Sequence, residues 1–467
     1  MVEDDMFVSP LYFKYLRRVI ETYYYNPSNY DPTVYGISLQ RPRFVPGKHG
    51  SQLRVDDATH LFLYQLVGTW GQLLFPKPWK EFRLWYDVLK SKNIKPVLEG
   101  MVTTGWYHRS KERIWTPWFI KFAYSKGYFN LYTHFSNEQA LSVSYRDKGV
   151  NTKKEAGPDS TLIGNENVSG LNSWEMKPLD QLKRYDFCFH EVKQGRLIEN
   201  AQGVKTIVPS FEENGTVILV DAVGFREEVI RNWLCQFSKL SIRNFVILIQ
   251  DRELEKSLLR QGHAVMHLAP ELLEKEIHRT LKHPTLKDKI VYIERALTVI
   301  QAVTMITHSG YNIWLTDVGT LWLANPFPLV HIDNADILGF TWGTGVSSEL
   351  LYIKGSKRMM SFWGNLYRNV LHQADFVANS ISSNYKQNYL GVMIGNNMSK
   401  GTLSFKPLST TLKVDLSVAY SNESDGPPKL AAALLVGIPS NDSYASALKS
   451  FGLWKLDEEL VCTGVYC

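Results

Sequence analysis

At 467 residues, with 44% hydrophobic and 21% charged residues, the chain has the composition of a globular protein with two or three domains. Its net charge of +6, from 52 Lys and Arg against 46 Asp and Glu, is scattered rather than striped; this argues against a nucleic-acid interface and leaves a mild potential that suits an anionic ligand. No apolar run approaches the roughly 18 residues of a membrane span, and Met1 leads at once into Val2, Glu3, Asp4 and Asp5 rather than into a signal-peptide core.

Residues 1–155 are dense in Trp, Tyr and Phe, which suits either bulky cores with amphipathic surface tyrosines or sugar-stacking platforms. The text opens MVEDDMFVSPLYFKYLRRVIE, an acidic triplet, an apolar residue, Ser-Pro and an amphipathic helix. Taken alone, the triplet reads as a solvated acidic helix start favoured by the helix dipole. Residues 156–212 turn polar and loop-like and are expected to form a linker, leaving 213–467 as a second domain.

That second domain reads as α/β. TVILVDAVG is a buried strand ending in Asp221 and the turn residue Gly224. Val229, Trp233 and Phe237 recur at helical spacing, FVILIQD is a second buried strand, a charged helix follows from Glu253, and HAVMHL reads as a third strand. Ile293, Leu297, Ile300 and Val303 then mark one face of a long helix that stops at Gly310. YNIWLTDVGTLWLANPF delivers Asp317 at the end of a further strand. Strands alternating with helices imply a parallel sheet with helices on both faces, whose ligands bind beyond the C-terminal strand ends, where Asp221 and Asp317 lie. A strand-end Asp there can hold Mn²⁺ or Mg²⁺ against a nucleotide diphosphate, or simply cap a turn.

The motif around Asp317, the segment ADILGF followed by SSELLYIKGSKRMMSFWGNL, and FGLW with Asp457 together resemble the nucleotide-diphospho-sugar transferase family that includes plant arabinosyl- and xylosyltransferases. The resemblance runs from Gly215 to Trp454 and implies a GT-A fold, a Rossmann-like α/β sheet with a central metal site. Two departures stand out. The family's Asp-x-Asp is here Asp317-Val318-Gly319, and its His-x-Asn before the final Gly-Leu-Trp is replaced by text containing Gly437 and Pro439.

In the first domain, the opening segment with YNPSNYDPTVYGISLQRPRF, YQLVGTWGQLLFPKPWKEFRLWYD and WTPWFIKFAYSKGYFNLYTHF resembles family 2 glycosyltransferases of the N-acetylglucosaminyltransferase type. By that resemblance residues 1–155 are the C-terminal part of a second, N-terminally truncated GT-A-like domain. Asp5 is its main metal ligand, Glu3 and Asp4 shape the diphosphate site, and Gly68, Thr69 and Trp70 form an acceptor-side turn. Thr116 and Pro117 occupy the place of the family's catalytic base and cannot serve, leaving Glu81 and Glu99 as candidates.

The expected function is transfer of a sugar from a nucleotide-diphosphate donor to a glycan or glycoprotein hydroxyl, with a divalent cation, in the Golgi or secretory lumen; the alternative is a degenerate transferase that binds glycans or scaffolds a partner. A membrane anchor is expected only in a segment preceding residue 1. Cys462 and Cys467 are expected to close a small terminal loop or to remain free thiols. Sequons stand at Asn167, Asn214, Asn397, Asn422 and Asn441.

Overall fold

A computed structural model describes residues 6–48, 51–56, 58–146, 148, 155–165, 176–268, 287–332, 334–342, 345–372, 391, 394–395, 403–416, 432–437 and 443–467. They divide into two units. The first comprises the chain up to Gln194 with Arg260–Gly262 and Val461–Cys467; the second comprises Gly195–Leu259 and His263–Leu460.

The first unit contains strands β1 (Met6–Val8), β2 (Val34–Ser38), β3 (Leu61–Tyr64), β4 (Gln72–Leu74), β5 (Phe129–Thr133), β6 (Gln139–Ala140), β7 (Ser142–Ser144), β8 (Thr161–Leu162) and β9 (Arg184–Tyr185). Five of them form a mixed sheet in the order β4-β2-β5-β3-β9, in which β2/β5 and β3/β9 run parallel. Every residue of β2, β3 and β5 is buried, which is why these strands read as continuous rather than alternating apolar runs. Much of the aromatic content is core: Phe82 of helix Pro76–Ser91 and Trp118, Phe119 and Phe122 of helix Thr116–Lys126 pack around Tyr35 of β2. Both helices begin with Pro in the first turn, and the second ends at Gly127 with φ +65°, a left-handed cap that glycine adopts without strain.

The segment expected as a linker, 156–212, is shared out between the units. β9 joins the first unit's sheet beside β3, and Arg184 within it makes a buried 2.6 Å ion pair with Asp31. The C-terminal residues also belong to the first unit: the Glu99 amide donates to Thr463 O, and the Val465 amide donates to Glu99 O, both at 2.8 Å. Cys467 is bonded not to Cys462 but to Cys188, Cys235 and Cys462 are disulfide-bonded as well, and no cysteine is free. The short Cys462–Cys467 spacing hid a partner 279 residues away in sequence.

The second unit contains β10 (Arg196–Ile198), β11 (Thr216–Asp221), β12 (Phe245–Leu248), β13 (Ala264–Met266), β14 (Asn312–Asp317), β15 (Leu321–Trp322), β16 (Ile337–Trp342), β17 (Gly345–Ile353), β18 (Phe405–Pro407), β19 (Lys413–Asp415) and β20 (Leu434–Val436). Eight strands form one sheet in the order β10-β13-β12-β11-β14-β17-β16-β18. From β10 to β14 all pairs are parallel, as the alternating pattern implies. Beyond β14 the sheet is mixed, because β17 runs antiparallel to both neighbours. β16 ends at Trp342 and β17 begins at Gly345, a gap too short for the crossover that a parallel neighbour requires.

Alternation along β11 sends Val217 and Leu219 to one face and Ile218 and Val220 to the other. The first face is covered by Ile293, Leu297, Ile300 and Val303 of helix Lys287–His308 and by Met359, Trp363 and Leu366 of helix Lys357–His372. The second is covered by Val229, Trp233 and Phe237 of helix Glu227–Lys239. Residues Ile290–His308 are long and apolar enough to cross a membrane by length and composition, yet here they supply the core of this face.

Candidate functional site

Parallel pairing of β11 with β14 sets Asp221 directly beside Asp317 at the C-terminal ends of adjacent strands. Both chains turn immediately afterwards. The Asp221 Oδ1 accepts from the Val223 amide at 3.0 Å, and the Asp317 Oδ1 accepts from the Thr320 hydroxyl at 3.2 Å. Each aspartate thus caps its own turn with one oxygen, so the capping and the functional readings of these residues coexist.

The other oxygens face a residue that the sequence reading did not single out. Arg295, on helix Lys287–His308, donates from Nε to Asp221 Oδ2 at 2.8 Å, and its Nη2 lies 2.7 Å from the same oxygen. That Nη2 is also 3.9 Å from Asp317 Oδ2. The guanidinium carbon lies 4.7 Å from the centroid of the Phe225 ring. A further pair sits on the next strand: Glu349 of β17 is bonded to Lys413 at 2.5 Å, and the Lys413 ammonium lies 4.7 Å from the centroid of the Phe340 ring. Arg295 carried one usable signal, a permanent cation flanking the apolar face of a long helix, where a partly buried charge requires a partner.

Burial raises the Asp317 carboxyl, opposed by Arg295 and reinforced by Asp221, and with smaller contributions from Thr320 and Glu349 the value comes to about 6. Burial alone would lower Arg295, but the Asp221 and Asp317 carboxylates outweigh it and hold the guanidinium above its ordinary value.

The residues present do not fit the divalent cation that a GT-A site implies. Asp221 has one oxygen on a backbone amide and the other on the guanidinium. A hard cation wants several free oxygens, and here it would stand beside a fixed positive charge. Gly319 adds no carboxylate. Its φ is not positive, so a side chain there meets no backbone strain, but a Cβ would lie 3.3 Å from Asp317 Oδ1 and 3.4 Å from the Phe225 ring.

In the first unit, Glu3, Asp4 and Asp5 lie outside the described residues. Glu81 accepts a 2.5 Å hydrogen bond from the Tyr128 hydroxyl. Glu99 is exposed, and its backbone pairs with the C-terminal strand segment. Gly68 is closely packed: a Cβ there would fall 2.4 Å from the Ser38 hydroxyl and 2.7 Å from that of Tyr132. Asp186, Cys188 and His190 place potential ligand atoms within 4.8 Å of one another and could hold a metal ion. With Cys188 in its disulfide, that set offers a carboxylate and an imidazole but no thiolate.

Residues 240–349 match the family model for nucleotide-diphospho-sugar transferases. This part of the chain carries that assignment, and it includes Arg295, Asp317 and Glu349. A β-arabinofuranosyltransferase of Arabidopsis thaliana, RAY1, is 26% identical over 130 residues, 27% of this chain and 23% of the relative. The chain therefore spans about a quarter of the length of that curated relative. Mouse xyloside xylosyltransferase 1 aligns at 11% identity with a TM-score of 0.30, over 48% of this chain and 97% of the other. The galactosyltransferase LgtC, solved with donor and acceptor sugar analogues, aligns at 12% identity with a TM-score of 0.31, over 52% and 98%.

Proposed function

We propose that the second unit is a GT-A-type domain that takes a nucleotide-diphosphate sugar at the ends of β11 and β14 and transfers the sugar to a glycan or glycoprotein hydroxyl. The observation that carries this is the cluster of two strand-end carboxylates and a guanidinium, in the stretch that matches the transferase family or directly beside it. In the reaction the acceptor oxygen bonds to the anomeric carbon while the bond to the diphosphate breaks, and the diphosphate leaves with the electron pair. Asp317, with its carboxyl near 6, is ionised at neutral pH yet basic enough to take the acceptor proton. For the first unit the same proposal assigns cation binding to Glu3, Asp4 and Asp5, and the acceptor base to Glu81 or Glu99. A Golgi or secretory-lumen location belongs to the proposal; it is supported by the absence of free cysteine and by the exposed sequon at Asn214.

The test is release of UDP from a panel of UDP-sugars by the full chain, with and without glycan acceptors. Acceptor-stimulated release that survives Asp5→Ala but is lost in Asp317→Asn assigns transfer to the second unit. The pattern reversed would assign it to the first. The second reading, glycan binding without transfer, draws on the absent carboxylate at Gly319. Glycan capture by a folded chain that releases no UDP would establish it in place of the first.

A further inference from the structure

We infer that the second unit binds the diphosphate of its donor without a divalent cation, with the guanidinium of Arg295 standing in as a tethered cation. This inference rests on the nucleotide-sugar reading above and concerns the same site.

In a metal-dependent site, strand-end carboxylates hold a cation, and the cation meets the phosphates. Here the strand-end carboxylates hold Arg295 instead. Asp221 grips the Nε and Nη2 side of the fork at 2.8 and 2.7 Å, and Asp317 approaches Nη2 at 3.9 Å. The Phe225 ring lies against the guanidinium, its centroid 4.7 Å from the guanidinium carbon, and adds a cation–π contact. Among the described residues Nη1 has no hydrogen-bond partner, and the side chain is 25% exposed. A planar fork held along one edge and open along the other matches the paired oxygens of a phosphate.

The surroundings agree with this exchange. Gly319 gives up the carboxylate that would complete a metal site, and the Phe225 ring lies within 3.4 Å of where a side chain at 319 would begin. The same ring therefore contacts both Arg295 and the position where a side chain at 319 would begin. The remaining nearby acid, Glu349, is already matched by Lys413. A divalent ion would have to displace Arg295 from Asp221, leaving a permanent cation unpaired in a largely buried position, which is costly.

The experiment is calorimetry of the full chain carrying Asp5→Ala, which removes the cation site proposed for the first unit, with UDP as the probe, once in excess EDTA and once in Mn²⁺. The expected result is affinity equal within about twofold in the two conditions, with Arg295→Met weakening binding by about tenfold or more and Arg295→Lys falling between, because a lysine keeps the charge but not the fork. If Arg295→Met fails to fold, as judged by circular dichroism, the comparison with Arg295 intact and Arg295→Lys decide. UDP binding that Mn²⁺ strengthens by about tenfold or more would overturn the inference and leave the nucleotide reading standing. Unaltered binding by folded Arg295→Met would overturn it as well. Absence of UDP binding in both conditions would bring down the nucleotide reading itself.

Discussion

Asp317 carries a cost that its fold does not need. An ordinary Asp titrates at about 3.9 when unfolded, whereas here burial, opposed by Arg295 and reinforced by Asp221, with smaller contributions from Thr320 and Glu349, puts the carboxyl near 6. Between those two values the folded state holds the extra proton. Stability therefore falls as pH rises through that window, and the full cost, on the order of 1–3 kcal/mol, is present above it. Asp317→Asn is expected to raise the melting temperature at pH 7 by a few degrees, and to leave it nearly unchanged at about pH 4, where the native carboxyl is already protonated. Thermal unfolding at both values checks this; a variant destabilised at pH 7 would mean that the pairing with Arg295 outweighs the burial cost. A residue whose replacement stabilises the fold is of the kind that functional sites retain. Arg295 is the counterexample for legibility. Asp221 and Asp317 could be found because each ends an apolar run, but Arg295 lies 74 residues from Asp221 and has no local motif. Only the register of β11 with β14, and the helix laid across them, brings the three together.

At the level of elements, the helix Glu227–Lys239 does more than cover a sheet face. The Trp233 indole N–H donates to the buried Thr320 carbonyl at 3.0 Å, and the Thr320 hydroxyl in turn holds Asp317. The ring also stacks on Phe237, with centroids 3.6 Å apart. Trp233→Phe keeps an aromatic ring but leaves the Thr320 carbonyl without its donor, and is expected to cost about 1–3 kcal/mol; Trp233→Ala, which empties the site, is expected to cost about 3–5 kcal/mol. Urea unfolding monitored by circular dichroism gives both values, and equal losses for the two variants would show that the hydrogen bond matters more than the volume. The strands from β11 to β14 and the helices between them were legible because apolar runs and helical periods are local signals. β10 was not, since three residues within polar text gain their strand character only from pairing with β13. β17 was not either: Ser347 and Glu349 interrupt its apolar pattern, and its antiparallel direction follows from the short gap after β16.

For the molecule as a whole, the sequence order of the units differs from a simple tandem. The chain leaves the first unit after Gln194, touches it again at Arg260–Gly262 and returns to it at Val461, so the second unit lies between segments of the first in sequence. Nothing in the composition of the last seven residues announces this, because their partners, Glu99 and Cys188, are far away in sequence. Replacing both Cys188 and Cys467 by Ser is expected to destabilise the first unit by roughly 2–5 kcal/mol, through the freedom regained by the unfolded chain. Denaturant unfolding of the variant against the oxidised wild type measures this, and an unchanged midpoint would show that the backbone pairing around Glu99 suffices.

The same bond has a mechanical consequence. Tension applied between β1 and the residue at 467 runs along the first unit to Cys188 and then crosses the sulfur bridge, so the 279-residue interval from Cys188 to Cys467 lies outside the load path. In a single-molecule pull on the oxidised chain, that hidden length could not be recovered whatever force unfolds the first unit. Adding a thiol reductant, which also opens the bonding of Cys235 and Cys462 within that interval, would release it, and the contour length gained would register the loss of the Cys188–Cys467 bridge together with them.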